Sequence, residues 1–255
     1  MKILVLVLAA RAWPYPILVR AIKGTWASVG VDGVSTLFYS GGDRLELHGS
    51  DLRLPVTDEL PAGRKTIVCF EHVLQSQEFD VVYRTNCSSY VDLPNLRTFA
   101  DRHAGTERFY CGRPGTFGDL PFASGAGFFL SRDLVELVVD RQEEWDHSLP
   151  DDIALAGLLH RHGVELLPAP RVDYTSARQV GEVDTSQFSF RCKTESPWRI
   201  GDIRIMLAVH QAFCRARGRP YRSWPLHVTT ALASLHSAWL RLRRVFSGYA
   251  RHPNG

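Results

Sequence analysis

FDVVYRTNCSSYVDL, from Phe79 to Leu93, begins as a strand and ends as a polar turn. Phe79–Arg84 has the short apolar run of a buried strand, and it passes straight into Thr85-Asn86-Cys87-Ser88-Ser89. In open α/β sheets ligands gather beyond the carboxyl ends of strands. Arg84, Thr85, Asn86 and Ser88 therefore stand where a ligand would bind. The competing reading is a plain polar turn, since Asn and Ser favour turns in any case.

Outward from this stretch, strand-like and helix-like segments alternate. Upstream, Ile3–Ala9 predicts a first strand and Pro16–Trp26 a helix with Ile17, Leu18, Ala21 and Ile22 on one face. Val34–Tyr39 predicts a second strand ended by Gly41-Gly42, and Arg64–Gln77 a helix. Downstream, Pro94–His103 reads as a short helix with proline in its first turn, and Arg108–Cys111 as a strand. Ser131 can cap a helix running to about Trp145. A further helix runs from near Asp151 to Gly163, and Val164–Leu167 returns as a strand. Such alternation predicts an α/β fold, one domain built on a mainly parallel central sheet. After Pro168 the pattern weakens, and Asp173–Pro197 reads as a long irregular segment of the kind that is functional or disordered.

The domain is expected to span 1–228. Residues 229–255 form a basic amphipathic extension, with Leu232, Leu235, Trp239, Leu242 and Phe246 on one helical seam beside Arg241, Arg243 and Arg244. Packing on its own domain, a homodimer seam and peripheral contact with a membrane are all open to it.

The chain's 255 residues, 45% of them hydrophobic, suffice for one large core. Its net charge of +3 lacks the strongly basic face of a nucleic-acid binder. Of 30 basic residues only Lys2, Lys23, Lys65 and Lys193 are lysines, so an anion site here would draw mainly on guanidinium forks, unless the bias merely reflects GC-rich, bacterial coding. Five cysteines without CxxC spacing fit a reducing, cytoplasmic setting better than a disulfide framework. No apolar run approaches the ~20 residues of a membrane span. Lys2 and Ile3–Ala10 also imitate a secretory signal; the strand reading is preferred because Arg11 interrupts the cleavage-like motif.

Two further stretches carry chemistry. In PFASGAGFFLSRD (Pro121–Asp133), Gly125 and Gly127 leave room for a ligand or for a crossing strand. In PDDIALA (Pro150–Ala156), one aspartate serves as a helix cap, which leaves the other as a general base.

With AIKGTWAS (Ala21–Ser28), FDVVYRTNCSSYVDL (Phe79–Leu93), FASGAGFFLSRD (Phe122–Asp133) and PDDIALAGLL (Pro150–Leu159), the chain resembles the β-1,3-galactosyltransferase and Fringe-like glycosyltransferases over roughly Lys2–Pro170. The resemblance implies a single GT-A, Rossmann-like domain that transfers a sugar from a nucleotide sugar, by analogy a UDP-sugar, to a hydroxyl with inversion. It carries the catalytic base to Asp152, with Asp151 as understudy. The donor would lie near Ala9, Ala10, Arg11 and Arg84–Ser88, with Ser124, Gly125, Ala126 and Gly127 lining the sugar.

The family's Asp-x-Asp, which holds a divalent cation on the diphosphate, is replaced by Asn86-Cys87-Ser88, and neither Asn nor Ser supplies the anionic oxygen a hard cation prefers. The family's late metal-binding histidine has no counterpart either. Metal-free chemistry is therefore expected, with Arg191, Lys193 and Arg199 steadying the leaving diphosphate; Mn2+ at another site is the alternative. The acceptor is open among glycans, lipid-linked glycans, proteins and small molecules. Two rival readings are a catalytically inactive binding relic and a metal-dependent phosphoesterase built on Asp151, Asp152, His160 and His162. A phosphatase loop at Cys111 fails because Phe117 stands where its arginine should be.

Overall fold

Ile3–Leu8 forms the strand at the middle of the molecule, with both of its faces covered. The computed structural model describes residues 1–58, 62–196 and 199–221. In chain order the first half comprises β1 (Ile3–Leu8), α1 (Tyr15–Lys23), β2 (Val34–Gly41), β3 (Glu46–His48), β4 (Asp51–Leu54) and α2 (Gly63–Ser76). Then follow β5 (Val81–Asn86), β6 (Ser89–Val91), α3 (Leu93–Asp101), β7 (Tyr110–Phe117) and β8 (Leu120–Ser131). The remainder is α4 (Arg132–Asp140), α5 (Asp151–Arg161), β9 (Leu166–Pro168), β10 (Val172–Tyr174), β11 (Ser189–Cys192) and α6 (Ile200–Ala216).

Eight strands make one sheet in the order β3-β4-β2-β1-β5-β8-β7-β9. The β4/β2, β2/β1, β1/β5 and β7/β9 pairings are parallel, whereas β3/β4, β5/β8 and β8/β7 are antiparallel. The sheet is thus mixed, which corrects the mainly parallel expectation. The cause is local: β7 and β8 are joined by the two-residue turn Gly118-Asp119, with Gly118 at φ +58°, and a hairpin must be antiparallel.

Burial on both faces explains why β1 is continuously apolar instead of alternating. Ile3, Val5 and Val7 pack with α1, α3 and α6 on one face. Leu4 and Leu6 pack with α2, α4 and α5 on the other. This run, which also imitated a secretory signal, is a core strand of the fold.

Other expectations shift in detail. The first helix stops at Lys23, and Trp26–Ser28 form a separate 3-10 turn. Ser131 does precede α4, but its hydroxyl accepts from Phe109 N (2.9 Å) rather than capping the helix. That helix ends at Asp140, short of Trp145.

The stretch from Asp173, expected to be irregular, contains β10 and β11, which join β6 in a second sheet of order β10-β11-β6. The unforeseen α6 covers it: Phe213 stacks on Tyr90 at 5.5 Å and meets Phe190 edge-on at 5.6 Å. Arg217, just past α6, grips Asp92 with both Nη atoms at 2.6 Å, and Asp92 in turn caps α3 by accepting from Asn95 N. No helix among the described residues is long and apolar enough to cross a membrane. The seam Leu232–Phe246 and the whole extension 229–255 lie outside the described residues.

Candidate functional site

The carboxyl ends of the adjacent parallel strands β1 and β5 open onto a cavity of 540 Å3. Small side chains make the room: Ala9, Ala10 and Ala12 follow β1 and Ala62 precedes α2, while Tyr15 closes one side. Asn86, Cys87 and Ser88 line the β5 edge, and the charged lining is Lys65, Lys193, Arg199 and Asp58. Two larger hollows, of 910 and 830 Å3, lie at the opposite end of the strands around Met1, Lys2, Phe79 and Asp80. Two of the charged pairs there are Lys2 with Glu78 and Arg132 with Glu136.

Asn86-Cys87-Ser88 is closed upon itself. Asn86 Oδ1 accepts from Ser88 N (3.0 Å), Ser88 Oγ (2.8 Å) and Ser89 Oγ (3.3 Å), and its Nδ2 donates to Gly125 O. The Cys87 thiol lies 3.2 Å from Leu8 O, and burial pushes its pKa up to about 12, so it stays neutral. This turn offers no anionic oxygen to a hard cation. Among the described residues no three His, Cys, Asp or Glu side chains are grouped as a metal site.

β8 is bulged beside this turn. Pairing passes from Gly112↔Phe128 directly to Pro114↔Ala123, so Ser124–Gly127 bow out of the ladder opposite Arg113. Side chains of β5 and β6 satisfy the freed backbone: Thr85 Oγ1 and Ser89 Oγ each reach Ala126 O at 2.7 Å, and Arg84 Nη1 reaches Gly125 O at 2.7 Å. A Cβ on Gly127 would stand 2.0 Å from the Tyr83 hydroxyl, and one on Gly125 would crowd Arg84 and Asp152. Gly127 thus makes room for the Tyr83 side chain of β5, and Gly125 for Arg84 of β5 and Asp152 of α5. Arg84, Thr85 and Gly125–Gly127, expected near a donor, bond to protein groups and do not line this cavity. Ser124 approaches only Ala126 N, at 3.5 Å.

The two aspartates of α5 are held differently. Asp151 forms an ion pair with Arg84 Nη2, and that guanidinium is 1% exposed and lies over the Phe128 ring at 5.6 Å. Asp152 Oδ2 accepts from Gly125 N at 2.7 Å and Oδ1 from Ile153 N at 3.1 Å. Asp152 is half-buried and reaches the cavity wall through one residue, because Gly125 O is bound by Asn86. His160 is exposed and His162 pairs with Glu144, so neither joins these aspartates.

The late segment closes the other side. Cys192 N donates to Ser88 O at 2.7 Å, stitching the end of β11 to the turn. Fully buried Asp202 accepts from Thr194 N (2.7 Å), Thr194 Oγ1 (2.8 Å) and Arg199 Nε (2.5 Å), which fixes the segment that carries Lys193 and Arg199. Loss of solvent holds the Lys193 ammonium below the usual lysine range, and the charges of Arg191 and Arg199 add to this. Arg191 itself lies on β11 opposite Ser89 and outside the cavity lining. Arg11 likewise contributes its backbone N–H, to Asp58, while its side chain is exposed.

Asp58 and Lys65 were not foreseen. Asp58 Oδ1 accepts from Gly41 N (2.6 Å) and Lys65 Nζ (2.8 Å), and Oδ2 from Arg11 N (2.5 Å). Burial works to raise its pKa, but the bonds from Lys65, Arg11 and Gly41 prevail and hold it below the usual carboxylate value. One sequence signal could have found Lys65: it lies four residues before Cys69 and eight before Val73, on the buried stripe of its helix.

No protein-family model matches the chain, and no curated protein matches it in sequence. Among solved structures it is similar to a mannosyltransferase from Pyrobaculum calidifontis, PcManGT, solved in complex with GDP-Man and Mn2+. The TM-score is 0.48 at 13% identity, over 98% of this chain and 81% of that one.

Proposed function

We propose that the chain is an inverting glycosyltransferase that moves a sugar from a nucleotide-sugar donor to an acceptor hydroxyl without a metal ion on the diphosphate. The observation that carries this reading is the cavity at the ends of β1 and β5, where Lys65, Lys193 and Arg199 converge beside the neutral Asn86 turn. Three cations around one concave site suit a diphosphate, whose oxygens they can meet with charge-assisted bonds.

In the proposed reaction Asp152 accepts the proton of the acceptor hydroxyl. The freed oxygen attacks the anomeric carbon, the bond from that carbon to the phosphate oxygen breaks, and the electron pair leaves on the nucleoside diphosphate. The cations stabilise that developing charge without having to reorganise. The nucleotide is read as UDP on the resemblance alone.

A second reading, donor binding without transfer, is favoured by one observation: both aspartates of α5 already have partners. Against the phosphoesterase reading, His160 and His162 do not converge on them.

Thermal stability against a panel of nucleotide sugars, in EDTA and then with Mn2+, tests the proposal, because a ligand of the folded state raises the midpoint by mass action. A shift in EDTA from one donor is expected. A shift that needs Mn2+ would overturn metal-free chemistry, and the absence of any shift would overturn the donor site. Product formed on any acceptor would exclude the binding-only reading.

A further inference from the structure

We propose that Lys65 is the anion contact on which the donor's diphosphate seats, and that Asp58 is the residue that positions it. This rests on the reading of the cavity as the donor site. Lys65 stands on the first turn of α2 and is 3% exposed, yet it lines the cavity. A buried ammonium persists as a cation only when it is paired. Here Asp58 Oδ1 accepts one N–H at 2.8 Å and Ala9 O a second at 3.0 Å. An ammonium carries three donors, so one remains for the space that Lys65 borders.

The geometry is preset in three directions. Asp58 ties together the end of β1 through Arg11 N, the end of β2 through Gly41 N, and α2 through Lys65. The bond to Ala9 O fixes the ammonium against the floor of the cavity. Lys193 and Arg199 reach the same cavity from the late segment, whereas Lys65 is built into the sheet-and-helix frame. A charge held there needs little reorganisation to meet a phosphate oxygen, and it acts where water screens poorly.

The test is calorimetric titration, in EDTA, of inorganic pyrophosphate, UDP, GDP, uridine and guanosine into the wild type, Lys65→Met and Lys65→Met/Asp58→Asn. The double variant is included because Lys65→Met leaves Asp58 without its cation, and melting profiles identify which variants are folded. Expected are binding of pyrophosphate and of one nucleotide by the wild type, a loss of about tenfold to a hundredfold for both in each folded variant, and unchanged nucleoside binding. A folded variant that binds pyrophosphate and nucleotide as the wild type does would overturn the role of Lys65 and leave the donor reading standing. Pyrophosphate binding that depends on Lys65, without binding of any nucleotide, would keep the anion contact and overturn the donor reading. A wild type that binds neither pyrophosphate nor nucleotide would overturn both.

Discussion

At Asp151 and Asp152, two side chains of one type in consecutive positions acquire different work from their neighbours. Asp151 faces a guanidinium that has almost no access to water. Its removal would strand a buried cation, a change that costs ~3–5 kcal/mol. Asp151→Ala should therefore lower unfolding stability by about that amount in urea; a loss below ~1 kcal/mol would mean that Arg84 finds another partner. Asp152 is half-buried and bound by backbone N–H groups, with no cation paired to it among the described residues. Asp152→Asn should reduce transfer by ~100-fold or more while donor affinity changes little. Near-normal turnover, measured as product per enzyme under saturating donor, would remove Asp152 from the base role.

The bulge of β8 shows how an element can be shaped by packing where a ligand was expected. Ser124–Gly127 leave the ladder, and the side chains of Arg84, Thr85 and Ser89 take up their backbone oxygens. Gly127→Ala would bring a methyl group to 2.0 Å from the Tyr83 hydroxyl and 2.8 Å from its ring carbon. We expect a loss of ~1–3 kcal/mol in chemical denaturation, partly restored by Tyr83→Phe, which removes the nearer atom. Purely additive effects of the two changes would contradict this packing account. The same region marks what could be read from sequence. The first strand, expected over Ile3–Ala9 and found over Ile3–Leu8, was legible as a continuous apolar run. The helix expected over Arg64–Gln77 was legible by its apolar spacing, and the helix from Asp151 by the turn residues that bound it, Pro150 and Gly163. The hairpins of β3/β4 and β7/β8 were harder to read although Gly49-Ser50 and Gly118-Asp119 are ordinary two-residue hairpin turns, because β3, β4 and the outer half of β7 are short, polar or exposed and show no clear alternation. Of the residues expected at a donor, Ala9, Ala10, Asn86, Ser88, Lys193 and Arg199 line the cavity. Asp58 comes to it through tertiary contact, which no local pattern announces, whereas the one local sign of Lys65 is its place on the buried stripe of α2.

Across the whole molecule, the cavity is where three cations from separate parts of the chain meet a single carboxylate, Asp58. Lys65 arrives on α2, Lys193 and Arg199 after β11, and the ends of β1 and β5 hold them around one space. Such an arrangement is unfavourable to itself, and Lys193 records this: loss of solvent, then Arg191 and Arg199, keep its pKa below the usual 10.5. Because the folded pKa lies below the unfolded one, the unfolded chain binds more protons in the interval between them. Lys193 therefore contributes stability that rises with pH through that interval and falls as it becomes charged at lower pH. A bound diphosphate reverses the electrostatics by placing negative charge beside the ammonium, which raises its pKa and draws a proton onto the complex. Nucleoside diphosphate binding should accordingly be accompanied by net proton uptake at alkaline pH, in the interval below the ordinary lysine value where the free protein's Lys193 has begun to lose its proton. Its affinity should weaken as the pH rises further. Titration calorimetry in buffers of different ionisation enthalpy measures the number of protons directly, and Lys193→Met should abolish most of the uptake. If the uptake were unchanged in that variant, the coupling between Lys193 and the bound anion would have to be abandoned, although the cavity itself would remain a candidate site through Lys65.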